Sequence, residues 1–171
     1  MPKDKNIFVR LLTSLIVFIV SGYLFISPAT AVTRDFQLNG ATGYLVKATF
    51  SYDETKTSGA IAEQGKGKTK ILDSLTVSFY QPSGELIKTY ENIVDGVATG
   101  TYFEFNFDPV TQQLAGNIDL GGELPGEMYL KGDINQELSL IEVEASGEEK
   151  VIDVIDPMSN NPNNRKTVHP R

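Results

Sequence analysis

The stretch Tyr102-Phe103-Glu104-Phe105-Asn106-Phe107 alternates phenylalanine with more polar residues. Successive side chains of a β-strand point to opposite faces, so the three phenylalanines share one face and the polar residues share the other. A strand with one apolar and one polar face covers a core on one side and meets solvent on the other. The stretch therefore predicts an antiparallel strand over 101–107.

The same period-two alternation recurs along the chain, and no segment has the apolar spacing of an amphipathic helix. Turn residues separate the alternating segments about every ten residues, which is typical of sandwiches and barrels. We expect an all-β fold, an antiparallel β-sandwich or meander β-barrel of about eight strands. The other predicted strands are 44–52, 71–80, 85–90, 114–120, 127–132, 137–144 and 150–155.

The N-terminal segment has the pattern of a secretory signal peptide. Lys3, Lys5 and Arg10 precede a charge-free stretch over 11–33, and Ala29-Thr30-Ala31 has the small-x-small pattern of a cleavage site. We expect residues 1–31 to be a signal peptide cleaved before Val32. An uncleaved anchor helix is the alternative, since the apolar run could nearly span a bilayer. The protein is then exported to the periplasm or the extracellular space.

The rest of the chain divides into a β domain over 32–156 and a tail over 157–171. The tail has too few apolar residues to offset the entropy of ordering, so we expect it to be disordered. Residues 32–171 contain 12 Lys and Arg against 21 Asp and Glu, a net charge of −9. This charge repels phosphate backbones and anionic membranes. We expect no nucleic-acid partner and, after signal cleavage, no membrane contact.

Three segments resemble those of uncharacterised exported β-rich proteins from cyanobacteria and from bacteria that use the PEP-CTERM sorting signal. They are Ala48–Asp53, the run Ser74–Phe79 with its Pro82-x-Gly84 turn, and Phe105–Asp108. The chain lacks the Val-Pro-Glu-Pro signal, the C-terminal apolar helix and the basic cluster of that sorting tail. The resemblance implies export and a β-rich fold, and it brings no known activity or catalytic residue.

Most site chemistries lack their residues in this sequence. There is no Cys, and the only His, His169, lies in the predicted tail, so neither a nucleophile with a His base nor a His-ligated zinc is expected. The stretch 62–69 fits a relaxed phosphate-loop pattern, but no helix is predicted to follow it, so we interpret it as a flexible basic loop. Asp119, Asp133, Asp153 and Asp156 lie near predicted turns without the spacing of a calcium loop, so we predict no cofactor.

Tyrosines on the predicted outer faces are the remaining candidates. Tyr80, Tyr90, Tyr102 and Tyr129 are expected to point outward, where an aromatic ring can stack on a sugar or anchor a protein. We single out Tyr80, Tyr102 and Glu104 as a possible binding surface. The sequence favours an exported, non-catalytic binding or structural module whose partner is an unknown protein or a polysaccharide. A lipocalin-like barrel for a small apolar ligand is one alternative. A carboxylate-dependent hydrolase is the other.

Overall fold

The computed structural model describes residues 31–157, and these form two antiparallel sheets packed face to face as a β-sandwich. The first sheet has the strand order β1-β2-β5-β6-β7-β4, and the second has the order β13-β12-β11-β10-β8-β3, with β9 paired to β8. The strands are β1 (Ala31–Asn39), β2 (Leu45–Asp53), β3 (Ile61–Gln64), β4 (Gly67–Lys68), β5 (Leu72–Tyr80), β6 (Leu86–Val94), β7 (Val97–Ala98), β8 (Glu104–Asp108), β9 (Gln113–Leu114), β10 (Asn117–Gly121), β11 (Met128–Asp133), β12 (Leu138–Val143) and β13 (Glu149–Ile155).

The all-β prediction is confirmed, and the two alternatives are decided in favour of the sandwich because the sheets stay open. Of the thirteen strands in the described part of the chain, nine have five or more residues, close to the expected number. A single 3-10 turn, Glu54–Lys56, is the helical element there. Residues 1–30 of the signal peptide predicted over 1–31, and residues 158–171 of the tail predicted over 157–171, lie outside the described residues.

The predicted core faces are buried as the alternation required. Phe103, Phe105 and Phe107 are each at most 4% exposed, and Leu75, Val77 and Phe79 of β5 are all fully buried at 0%. Apolar side chains from both sheets form one continuous cluster between them. Burying a large apolar side chain stabilises the fold by about 1.5–3 kcal/mol, so this cluster is the main source of stability.

Phe50 of β2 joins the two sheets through aromatic contacts. Its ring packs edge-on against Phe105 at a centroid distance of 4.9 Å and against Phe107 at 4.8 Å, both from β8 of the opposite sheet. Edge-to-face pairs at such distances add about 0.5–1.5 kcal/mol beyond the area that they bury. The sheets are thereby held in a defined position relative to each other.

A buried amide also connects the sheets. Asn92 of β6 is 2% exposed. Its side chain donates to the carbonyl oxygen of Gly121 at 2.8 Å and accepts from the N–H of the same residue at 3.1 Å. Tyr90, two residues earlier, accepts the N–H of Met128 with its hydroxyl oxygen at 3.0 Å. These bonds satisfy polar groups that would be costly to bury unpaired.

One open edge of the sandwich is closed by a carboxylate of β13. Asp153 is 3% exposed and accepts the backbone N–H groups of Thr42 at 3.0 Å and Tyr44 at 3.3 Å, both in or next to the loop between β1 and β2. A Cβ atom on Gly40 would lie 1.9 Å from an Asp153 carboxylate oxygen, so only glycine fits there. Asp153 lies within β13, inside the strand that was predicted over 150–155.

The opposite edge is formed where the chain passes from β3 in the second sheet to β4 in the first. Glu63 of β3 points inward, is 5% exposed, and accepts the backbone N–H groups of Lys70 at 2.9 Å and Ile71 at 2.7 Å. The prediction of a flexible basic loop over 62–69 is therefore wrong: two short strands lie there, held by a buried carboxylate. No phosphate loop is formed, because strand β5 follows rather than a helix.

Candidate functional site

A cleft on the outer, solvent-facing side of the second sheet contains two of the three residues singled out from the sequence. Its volume is about 380 Å³. Polar side chains dominate its walls, and one aromatic ring stands among them. The lining residues are Gln64, Thr101, Tyr102, Glu104, Asn117, Ile118, Asp119, Lys131 and Gly132.

The cleft follows a row of polar residues that the strand register places side by side. Gln64 of β3 pairs with Glu104 of β8, Glu104 pairs with Asp119 of β10, and Asp119 pairs with Lys131 of β11. Directly opposed residues of antiparallel strands have Cβ atoms about 4.5–5.5 Å apart and share a face. Hydrogen-bond donors and acceptors are therefore spaced across four neighbouring strands.

Asp119 lies at the centre of this row and is only 9% exposed. One of its carboxylate oxygens lies 3.3 Å from the Nζ atom of Lys131. Burial, with smaller contributions from the negative charges of Glu123 and Glu104, raises the pKa of Asp119 to about 6, although Lys131 acts in the opposite direction. Asp119 is thus a partly desolvated carboxylate that changes its charge in mildly acidic solution.

Tyr102 rises from the edge of the cleft and is 70% exposed. The loop that holds it is itself anchored. The backbone N–H of Tyr102 donates to a carboxylate oxygen of Glu123 at 2.7 Å, and the N–H of Gly65 donates to the carbonyl oxygen of Phe103 at 2.7 Å. A Cβ atom on Gly100 would lie 2.8 Å from the same Glu123 oxygen, so the loop packs closely on that carboxylate. An exposed ring therefore stands on a fixed backbone.

A second, smaller groove of about 160 Å³ adjoins the first on the same face. Tyr102, Asp119 and Lys131 line both grooves. Burial, together with the hydrogen bond and charge of Glu149, raises the pKa of Tyr129 above its usual range, so this phenol stays protonated. The remaining lining residues of the second groove are Glu123, Tyr129 and Glu149.

The structure separates the tyrosines that were expected to share an exposed role. Tyr102 and Glu104 lie together in the cleft, whereas Tyr80 lies on the first sheet, with the Lys47 ammonium group 5.2 Å from its ring centre. The expected outward position of Tyr90 is wrong: it is 9% exposed, and its ring lies in the core. Tyr129 does lie on the outer face, but Ile141 and Val143 pack beside it and leave it 7% exposed.

Sequence reasoning missed the central members of the cleft, Asp119 and Lys131. Asp119 was expected near a turn at the end of the strand predicted over 114–120, and it lies within β10 between the buried residues Ile118 and Leu120. A charged residue between two apolar ones on a predicted strand is the signal that could have placed it outward. Its pairing with Lys131 required the register of β10 and β11, which no local pattern shows.

Between residues 31 and 157, no group of three or more His, Cys, Asp and Glu side chains is arranged to hold a metal ion. In the same range, no helix is long and apolar enough to cross a membrane. No family model, no curated protein and no solved structure was found to match the chain.

Proposed function

We propose that this protein is an exported, non-catalytic binding module that holds a polysaccharide in the cleft on the outer face of the second sheet. The observation that supports this most directly is the exposed ring of Tyr102 on an anchored loop, beside the polar row that contains Glu104, Asp119 and Lys131. Large rigid side chains with a polar tip bind partners at a low entropic cost.

The chemistry of the cleft suits a sugar better than an apolar molecule. A sugar ring presents C–H groups on its faces, which pack on an aromatic ring, and hydroxyl groups around its edge. Glu104 and Asp119 accept hydrogen bonds from hydroxyl groups, Lys131 donates, and the amides of Gln64 and Asn117 do both. Apolar ligands need a pocket lined mainly by hydrophobic side chains. The lipocalin-like alternative also required a closed barrel, whereas the sheets here are open.

A depression on the outer face of the first sheet is the other surface site to compare, and it lacks the aromatic ring that the cleft has. It has a volume of about 520 Å³ on the outer face of the first sheet, and no aromatic side chain is among its lining residues. Without a ring for stacking, a flat polar surface competes poorly with water for a hydroxylated ligand. The lining residues are Ser51, Asp73, Ser74, Thr76, Glu91, Ile93, Val94 and Asp95.

Export remains supported by the sequence of the N-terminal segment. Strand β1 begins at Ala31, so cleavage before Val32 would leave all but one residue of the described sandwich in the mature protein. The mature protein would then begin within strand β1.

A carboxylate-dependent hydrolase is the second candidate, and one observation favours it. Asp119, with its pKa raised to about 6, lies directly opposite Glu104 in the sheet. Acid–base glycoside hydrolysis requires two carboxyl groups on one cleft, and a raised pKa suits the one that acts as the acid. The ion pair with Lys131 favours a binding role instead, because the ammonium group of Lys131 holds the carboxylate of Asp119 in place within the cleft.

The test is co-sedimentation of residues 32–171 with insoluble cellulose, chitin, xylan and peptidoglycan. We expect binding to at least one of them, and we expect Tyr102→Ala to weaken it about tenfold, the loss of one well-placed aromatic contact. Tyr80→Ala is the matched control, because it removes the same side chain from the opposite sheet and should leave binding unchanged. Absence of binding to every polymer, or equal losses in both variants, would contradict the proposal. Release of soluble sugar that Glu104→Gln abolishes would support the hydrolase.

A further inference from the structure

We propose that the two adjoining grooves are two subsites for one glycan chain, and that this chain is neutral or amino-bearing. Glu123 is the positioning residue for Tyr102, whose ring lies between the two subsites. This inference rests on the function proposed above and deepens it by naming the ligand class. A single sugar would occupy one groove, whereas a chain of two or more units would occupy both.

The shared lining is the first reason. Tyr102, Asp119 and Lys131 each contact both grooves, whose volumes are about 380 Å³ and 160 Å³. Two unconnected sites would not share the side chains at their centre. Here the ring of Tyr102 and the ion pair between Asp119 and Lys131 lie at the junction of the two grooves, where a linkage between two sugar units would lie. The arrangement therefore favours a ligand that continues from one groove into the other.

The anchoring of Tyr102 is the second reason. Its side chain is 70% exposed, yet its backbone N–H is held at 2.7 Å by Glu123, a residue of the second groove. A loop backbone held in place before the ligand arrives loses less entropy on binding than a mobile one. Glu123 acts on the ligand through Tyr102, by holding the backbone that carries this ring at the junction of the two subsites.

The charge of the lining selects the chemical class. Glu104, Asp119, Glu123 and Glu149 line the two grooves, and Lys131, the one basic side chain among their lining residues, is already paired with Asp119. Placing a second set of negative charges next to these carboxylates is unfavourable, and like-charge contacts are an effective means of excluding a partner. Glycans with uronic acid or sulfate groups are therefore disfavoured, and chains with hydroxyl or amino groups are accepted.

Calorimetric titration with defined sugars tests the subsites. The probes are cello-, xylo- and chito-oligosaccharides of one to six units, with oligogalacturonides of equal length as the anionic series. We expect the best neutral or amino-bearing series to gain about tenfold or more in affinity between one unit and several, since the second contact becomes intramolecular. We expect no measurable binding of the anionic series. Equal affinity for one unit and for longer chains would overturn the two subsites and leave the proposed function intact. Tighter binding of oligogalacturonides would overturn the charge selection. No binding of any probe, with no binding to the insoluble polymers, would overturn the proposed function as well.

Two variants of Glu123 test the positioning role. Glu123→Ala removes the acceptor of the Tyr102 N–H and should lower the affinity for long chains about tenfold, while single-unit binding changes little. Glu123→Gln keeps an acceptor oxygen, so it should restore the affinity for long neutral chains. A merely structural role predicts instead that both variants lose stability and that binding of all chain lengths falls together. Urea denaturation of the same samples separates these outcomes, and an unchanged affinity of Glu123→Ala for long chains would overturn the role.

Discussion

Replacing Glu63 by alanine should destabilise the sandwich more than any other substitution of a charged residue near β3 and β4. Its carboxylate is 5% exposed and lies where the chain changes from one sheet to the other. One oxygen accepts the N–H of Ile71 at 2.7 Å and that of Lys70 at 2.9 Å, and the N–H of Leu72 lies at 3.4 Å. Truncation leaves these N–H groups without their acceptor.

The size of the effect follows from those three bonds. A hydrogen bond to a charged group contributes about 1.5–3 kcal/mol, and a buried donor left unpaired costs about 1–3 kcal/mol. Two of the bonds are short, but Lys70 is exposed, so water can replace the carboxylate there. We therefore expect Glu63→Ala to lower the free energy of unfolding by about 3–4 kcal/mol. Domains of this size are stable by only about 5–15 kcal/mol, so the variant should fold and remain measurable.

Urea denaturation measures this loss, with the dependence on urea concentration expected to stay unchanged. Glu142→Ala is the matched control, since Glu142 lies on the exposed side of a strand and should change stability by less than about 0.5 kcal/mol. Hydrogen exchange adds a local readout, because the amide protons of Ile71 and Leu72 should exchange faster in Glu63→Ala. If Glu63→Ala loses no more stability than Glu142→Ala, the carboxylate does not hold this edge and the reasoning is refuted.

Two further predictions concern the core and the cleft. Phe105→Ala should lower the free energy of unfolding by about 3–5 kcal/mol in urea denaturation, because it empties a fully buried aromatic site against Phe50. Tyr102→Ala should change the same free energy by less than about 0.5 kcal/mol. Similar losses in both variants would mean that the outer face is also buried. Asp119 has a pKa of about 6 in the folded state and 3.8 in the unfolded chain, so the folded state binds the proton of Asp119 more tightly. The contribution of Asp119 to the free energy of unfolding therefore falls as the pH rises from about 4 to 7. The stability of the wild type relative to Asp119→Asn should therefore fall over that range by at most about 3 kcal/mol, and a difference that is constant with pH would contradict the raised pKa.

Much of the fold could be predicted from alternation alone. Strands β2, β5 and β8 have apolar residues at every second position, and their core faces are buried as expected. The turn at Gln81–Gly84 was predicted from proline and glycine, and the N–H of Gly84 does donate to the carbonyl oxygen of Gln81 at 2.8 Å. Local preference and burial agree in these segments, so a local pattern was sufficient.

Four strands were missed: the two-residue strands β4 and β7, and the longer edge strands β1 and β3. Strands β1 and β3 each have a charged residue on their inward side. Arg34 interrupts the apolar positions of β1, and Glu63 interrupts those of β3. Inward-pointing charges are a common protection of sheet edges against pairing with other chains. The same charges erase the alternation by which a strand is recognised, so sequence patterns are weakest at the edges of a sheet.

The sequence by itself therefore determined the all-β class, the central strands, the core faces of Phe105 and its neighbours, and the outward direction of Tyr102 and Glu104. Only the tertiary structure decided that Tyr80 lies on the opposite sheet, that Tyr90 is buried, and that Asp119 and Lys131 complete the cleft. The physical reason is that a sequence pattern reports only on neighbouring residues of the same strand. Side-chain direction repeats every two residues along one strand, whereas a site across four strands depends on their order and register, which long-range packing sets.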